Sequence, residues 1–95
     1  MKIPEKGNVV LKFGAKWCGP CRQIKPILEE LKKENEGVDF IDVDTEEDDT
    51  RPLVSQYAVR GIPKLVFIQD GEIKSSFVGF KSKEEIQEHI NLLVE

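Results

Sequence analysis

The sequence predicts an α/β domain with the element order βαβαββα, and three observations carry that prediction. Val9-Val10-Leu11-Lys12-Phe13 is a nearly continuous apolar run bounded by Gly7 and Gly14, too short for a helix and suited to a strand buried on both faces. Ile24, Ile27, Leu28 and Leu31 then recur at i, i+3, i+4 and i+7, the stripe of an amphipathic helix. Finally, Asp70-Gly71 stands between two β-rich segments, which is a strong hairpin signal.

The elements follow in order. The first helix ends near Asn35, with Gly37 as the expected left-handed stop, and Pro26 inside it removes the amide that would bond to the Arg22 carbonyl, which predicts a kink. Val38 to Val43 is the second strand. The acidic run Thr45-Glu46-Glu47-Asp48-Asp49 reads as a solvated loop whose carboxylates complement a helix dipole. It leads into a short helix that opens near Pro52 and carries Leu53, Val54, Tyr57 and Ala58. Lys64 to Ile68 and Glu72 to Val78 are the hairpin strands. Ser82 and Glu85 form a capping box ahead of Ile86, Ile90, Leu93 and Val94 on a closing helix, whose His89 reads as a partly exposed packing residue.

Composition bounds the function. The 95 residues make one domain over 1–95, large enough to bury roughly 60–65% of its unfolded surface. A net charge of −4 disfavours nucleic acid and anionic lipid as partners. No stretch approaches the ~20 apolar residues that span a bilayer, and Met1 to Gly7 lack the apolar centre of a secretory signal. The expected location is the cytoplasm, where an isolated cysteine pair is more often catalytic than structural.

The only two cysteines lie in Trp17-Cys18-Gly19-Pro20-Cys21, at the start of the first helix. One helical turn brings both sulfurs to one face, so they can bond while only one looks outward. A free thiol with a pKa of about 8.5 is only ~3% ionised at pH 7, whereas the unpaired amides of a helix N-terminus stabilise a thiolate. Lowering Cys18 to about 7 raises the thiolate fraction ~16-fold, but the weaker nucleophilicity takes back ~5-fold, leaving a net gain of ~3-fold. The larger benefits are a better leaving group at Cys18 and a second thiol, Cys21, held ready for intramolecular attack. Gly19 admits a close substrate backbone, and Pro20 stiffens the first turn, so both tune the redox couple. Two other readings compete. A zinc site lacks ligands, since the chain adds only His89, and a structural disulfide closing so tight a loop would stabilise little.

Together these residues resemble the thioredoxin family. The resemblance rests on Trp17-Cys18-Gly19-Pro20-Cys21, Pro26, Arg60-Gly61-Ile62-Pro63, the Asp70-Gly71 hairpin and Val78-Gly79, and runs from about Gly7 to the carboxyl end. It implies a thioredoxin-like fold with a four-stranded mixed sheet flanked by helices, because the family's first strand and helix are missing or reduced. It also implies a protein disulfide oxidoreductase that is monomeric, binds no cofactor and no metal, and is re-reduced by a thioredoxin-reductase-type donor linked to NADPH or ferredoxin, within electron transport and redox homeostasis.

Cys18 then looks like the exposed nucleophile, Cys21 the resolving thiol and Pro63 the family's cis-proline. Trp17, Ile62, Pro63 and Gly79 look like an apolar substrate-binding collar on which an extended chain pairs with the Ile62 backbone. Net oxidation or isomerisation is the second enzymatic reading, and an adaptor module the non-enzymatic one.

Several positions depart from the family pattern. The acidic connection after Asp44 is longer than usual, and Lys64 follows Pro63 where threonine is common, which offers a partner contact. Lys12 stands where the family normally has a buried aspartate beneath the cysteines, and Gly14 replaces a usual tryptophan. Either Lys12 snorkels outward through the gap left by Gly14, or its ammonium lies near Cys21, favours the thiolates and makes the centre more oxidising.

Overall fold

The computed structural model describes residues 1–93, so Val94, expected on the closing helix, lies outside the described residues. The elements are β1 (Asn8–Gly14), α1 (Gly19–Glu34), β2 (Val38–Asp44), a 3-10 turn (Asp48–Thr50), α2 (Arg51–Gln56), β3 (Lys64–Gln69), β4 (Glu72–Val78) and α3 (Lys83–Asn91). The expected βαβαββα order holds. The strands form one mixed sheet in the order β2-β1-β3-β4, with β1 parallel to β2 and antiparallel to β3.

Alternation along the central strand β1 divides the core between two faces. Val9, Leu11 and Phe13 pack with Val43, Leu53, Val66 and Ile68 on the side covered by α2. Val10 packs the other way, with Ile24, Leu28 and Leu31 of α1 and Ile86 and Ile90 of α3. By the same period of two, Lys12 and Gly14 share the α1 face with Val10. That places a cation and a missing side chain beneath the first turn of α1.

Several local details differ from expectation. Gly37 is not in the left-handed region, although α1 does end at Asn35 as expected (φ −130°), where the side-chain amide donates to the Leu31 carbonyl at 2.8 Å. Asn35 also exchanges hydrogen bonds of 2.9 and 3.1 Å with Gln87, tying α1 to α3. Pro26 does stand inside the helix, as expected. α2 stops at Gln56, before Tyr57 and Ala58, because Ala58 turns left-handed (φ 50°). The Ala58 amide then bonds to the Ser55 carbonyl at 3.1 Å and the Val59 amide to that of Val54 at 2.9 Å, which is a Schellman closure built on alanine.

The hairpin and the final cap match expectation. Asp70 and Gly71 both have positive φ (49° and 83°), as a two-residue primed turn requires. Ser82 Oγ accepts from the Glu85 amide at 3.2 Å while the Glu85 carboxylate accepts from the Ser82 amide at 3.2 Å, which completes the capping box.

His89 is half-buried, stacked on Phe67 at 4.9 Å, 5.2 Å from Phe77, with Nδ1 2.8 Å from Ser75 Oγ. Burial first, and then the nearby Lys81 charge, holds its imidazole below the ordinary 6.5, against the weaker pull of Glu88 and Glu85. A depressed folded value means that the unfolded chain takes up the proton first. Stability from this site is therefore complete above pH 6.5 and lost as pH falls through the folded value. The thermal midpoint is expected to drop modestly on acidification through that window, and less in His89→Gln; equal pH slopes in the two proteins would remove the assignment.

Candidate active site

Cys18 is the N-cap of α1, in extended conformation (φ −83°, ψ 113°). Its sulfur accepts a hydrogen bond from the Cys21 backbone amide at 3.2 Å, so one of the helix's unpaired donors points at Sγ. The Cys18 carbonyl meanwhile accepts from the Arg22 amide at 3.2 Å, and the Cys18 amide donates to Ala15 at 3.2 Å. These bonds fix the cysteine backbone on both sides. Pro20 sits in the first turn, where its missing amide costs nothing.

Cys18 and Cys21 are joined as a disulfide, with Cα atoms 5.2 Å apart. One expectation needs correction here. Cys18 is only 4% exposed and Cys21 2%, so in this oxidised form neither sulfur is an exposed group. A Cβ built on Gly19 would meet nothing within 4 Å, so the space over the motif is open to an approaching chain.

The four residues expected to form the collar are held by contacts of their own. Trp17 is 67% exposed, and its indole nitrogen donates to Glu46 at 2.5 Å. The Ile62–Pro63 peptide bond is cis, and Pro63 is buried. The Gly79 amide donates to the Pro63 carbonyl at 2.8 Å, and Gly61 packs so tightly that an added Cβ would stand 3.0 Å from Val78. The loop carrying Ile62 and Pro63 is thereby fastened to the end of β4. Phe80, next to Gly79, is 50% exposed and enlarges the apolar surface on that side.

Lys64, which the sequence offers as a partner contact, is engaged within the fold. Its ammonium donates to the Tyr57 carbonyl at 2.8 Å and so caps α2 from the start of β3.

Lys12 lies beneath the disulfide and reaches outward as well. It sits opposite Asp42 in the β1–β2 register, and its ammonium is 3.4 Å from the Asp42 carboxylate. Its side chain is 12% exposed against 69% for Asp42, so the stem is covered while the head reaches an exposed partner. The space above Gly14 links this lysine to the cysteines. A Cβ there would stand 3.2 Å from Cys21 Sγ and 3.4 Å from Lys12 Cε, so residue 14 puts no side chain of its own between the two.

The thioredoxin family model matches residues 1–92, nearly the whole chain, with this cysteine pair inside it. The chain belongs to the thioredoxin family. It is 40% identical over 87 residues to the thioredoxin of Bacillus subtilis, covering 90% of this chain and 82% of that one. To the H-type thioredoxin of Ricinus communis it is 41% identical over 85 residues, covering 90% and 70%. Among solved structures it resembles Fasciola hepatica thioredoxin (TM-score 0.83, 37% identity, 94% of this chain and 84% of that one) and a thioredoxin variant of Halobacterium salinarum (TM-score 0.86, 32% identity, 96% and 78%). Like other thioredoxins, the protein is a thiol–disulfide oxidoreductase, and its disulfide lies at the N-terminus of α1. Members of the family act on protein disulfides and are re-reduced by reductase partners.

Among the described residues, no group of three His, Cys, Asp or Glu side chains is placed to hold a metal ion, and no helix is long and apolar enough to cross a membrane. Two partners of the site went unread in the sequence. Glu46 belongs to an acidic run that reads as merely solvated, and Asp42 faces Lys12 only through strand register. No local pattern marks either.

Proposed function

We propose that this protein reduces protein disulfides, with Cys18 as the attacking sulfur and Cys21 as the resolving one. The single observation that carries the order of attack is the Cys21 amide directed at Cys18 Sγ, at the N-cap of α1. Partial positive charge at that helix end favours a thiolate on Cys18 over its thiol. The thiolate attacks a substrate disulfide, forms a mixed disulfide and expels one substrate thiolate. Cys21 then attacks Cys18, the Cys18–substrate bond breaks, and the second substrate sulfur leaves. Two electrons pass to the substrate, and the Cys18–Cys21 bond closes.

Trp17, Ile62, Pro63 and Gly79 form the surface on which the substrate chain lies. The Gly79–Pro63 hydrogen bond and the Trp17–Glu46 contact support this reading, because each fastens a collar residue to a separate element. Gly19 and Pro20 set access and rigidity at the sulfurs, and Lys12 shifts the couple toward the thiolates. The chain works as one monomeric domain over residues 1–95, in the cytoplasm, without a bound cofactor. A thioredoxin-reductase-type enzyme supplies its electrons.

Insulin reduction by dithiothreitol tests the activity: the protein is expected to accelerate it strongly, and an unaccelerated rate would favour an adaptor role. Cys21→Ser is expected to trap mixed disulfides with substrate proteins, visible on non-reducing gels and released by excess reductant. If trapping occurs instead in Cys18→Ser, the order of attack is reversed.

A further inference from the structure

A cleft of about 470 Å³ opens beside the disulfide, and Cys21, Gly14, Lys12 and Asp42 all line it. It exists because Gly14 leaves empty the position where any larger side chain would press on Cys21 Sγ. Cys21, only 2% exposed, therefore borders a solvent-open space. Its proton has a route to water through that space.

We propose that Lys12 and Asp42 act as one unit on this cleft, the Lys12 ammonium easing deprotonation of Cys21 by its charge, and Asp42 serving as the positioning residue that anchors and partly neutralises that ammonium. This deepens, and rests on, the reading of Cys21 as the resolving thiol. In the mixed disulfide, Cys21 loses its proton to water in the cleft, and the thiolate attacks Cys18 Sγ. The electron pair of the breaking bond leaves on the substrate sulfur, which takes a proton from solvent. An ammonium cannot accept the Cys21 proton, so Lys12 contributes by stabilising the anion left behind.

Other charges face the same space. Lys16, Arg22 and Lys25 line it from α1 and the turn before it, Asp44 and Glu47 from the end of β2 and the following loop, and Met1 also reaches it. Arg22 is engaged with the Lys16 carbonyl at 2.8 Å. Among the described residues, Lys12 is the cation whose chain stands against Gly14 next to the sulfur, and Asp42 is the carboxylate paired with it.

The test follows reaction of the reduced protein with a chromogenic aromatic disulfide, whose first and second thiol releases report attack by Cys18 and resolution by Cys21. In Lys12→Met the pH midpoint of the second release is expected to rise by about 1 unit, slowing it ~10-fold below both midpoints. In Asp42→Asn, where the exposed position safeguards folding, the midpoint is expected to fall, because an unopposed ammonium stabilises the Cys21 thiolate more. Lys12→Arg is expected to restore the parental profile. Coincident midpoints in parent, Lys12→Met and Asp42→Asn, or shifts of one sign in both variants, would overturn the proposal. A parent that shows no second release at all would instead remove the resolving role of Cys21, so the two failures are distinguishable.

Discussion

Cys18→Ser is expected to return insulin reduction to the rate of dithiothreitol alone. A serine hydroxyl stays un-ionised at neutral pH and forms no bond to sulfur, so neither the attack nor the mixed disulfide survives the change. The fold should tolerate it well. Serine is a preferred N-cap, and its oxygen can accept the Cys21 amide that Cys18 Sγ accepts at 3.2 Å. Loss of the disulfide costs little, because a loop closed between neighbours three apart removes little chain entropy. The informative result is thus a folded, inert protein. Retained acceleration in Cys18→Ser would show that Cys21 or the scaffold carries the chemistry.

Phe67→Ala is expected to produce the largest loss of stability. Phe67 is 0% exposed in the middle of β3, against Phe77 at 6.0 Å and His89 at 4.9 Å, within the core cluster that holds α1 and α3 to the sheet. Truncating such a ring removes its burial and leaves a cavity between rigid elements, a cost of about 3–5 kcal/mol. That is a large share of the 5–15 kcal/mol typical of a domain, and a loss of about 4 kcal/mol lowers the midpoint by roughly 15–30 °C. Chemical denaturation of both proteins measures it. A loss below about 1 kcal/mol would mean that the α1–α3 face repacks freely around the gap. Because Phe67 lies away from the disulfide, the fraction still folded should turn over normally.

The elements that were legible are those whose signals are local. Val9 to Phe13, the Ile24–Leu31 stripe, Asp70-Gly71 and the Ser82–Glu85 box each read correctly, because period, turn chemistry and capping act within a few residues. Errors arose where a distant or unusual partner decides. Gly37 looked like the stop of α1, but the Asn35 side chain satisfies the Leu31 carbonyl first. Ala58 looked helical because alanine favours helices, yet the Schellman closure puts it at positive φ.

The site divides in the same way. Cys18, Cys21, Gly19 and Pro20 are adjacent in the chain, so their shared helix end was readable from spacing. The contact between Trp17 and Glu46 spans 29 residues, and the pair Lys12–Asp42 depends on the parallel register of β1 and β2. Neither follows from any short motif. Lys64 shows the converse, since a residue that looked free for a partner is held by the α2 terminus.

Thiol titration of the reduced protein, followed by thiolate absorbance and by alkylation rate at Cys18, bears most directly on the chemistry. The helix end and the Cys21 amide should hold Cys18 ionised well below the ~8.5 of a free thiol. A midpoint at the ordinary ~8.5, with alkylation no faster than for an unfolded cysteine, would contradict activation of Cys18 by the α1 N-terminus.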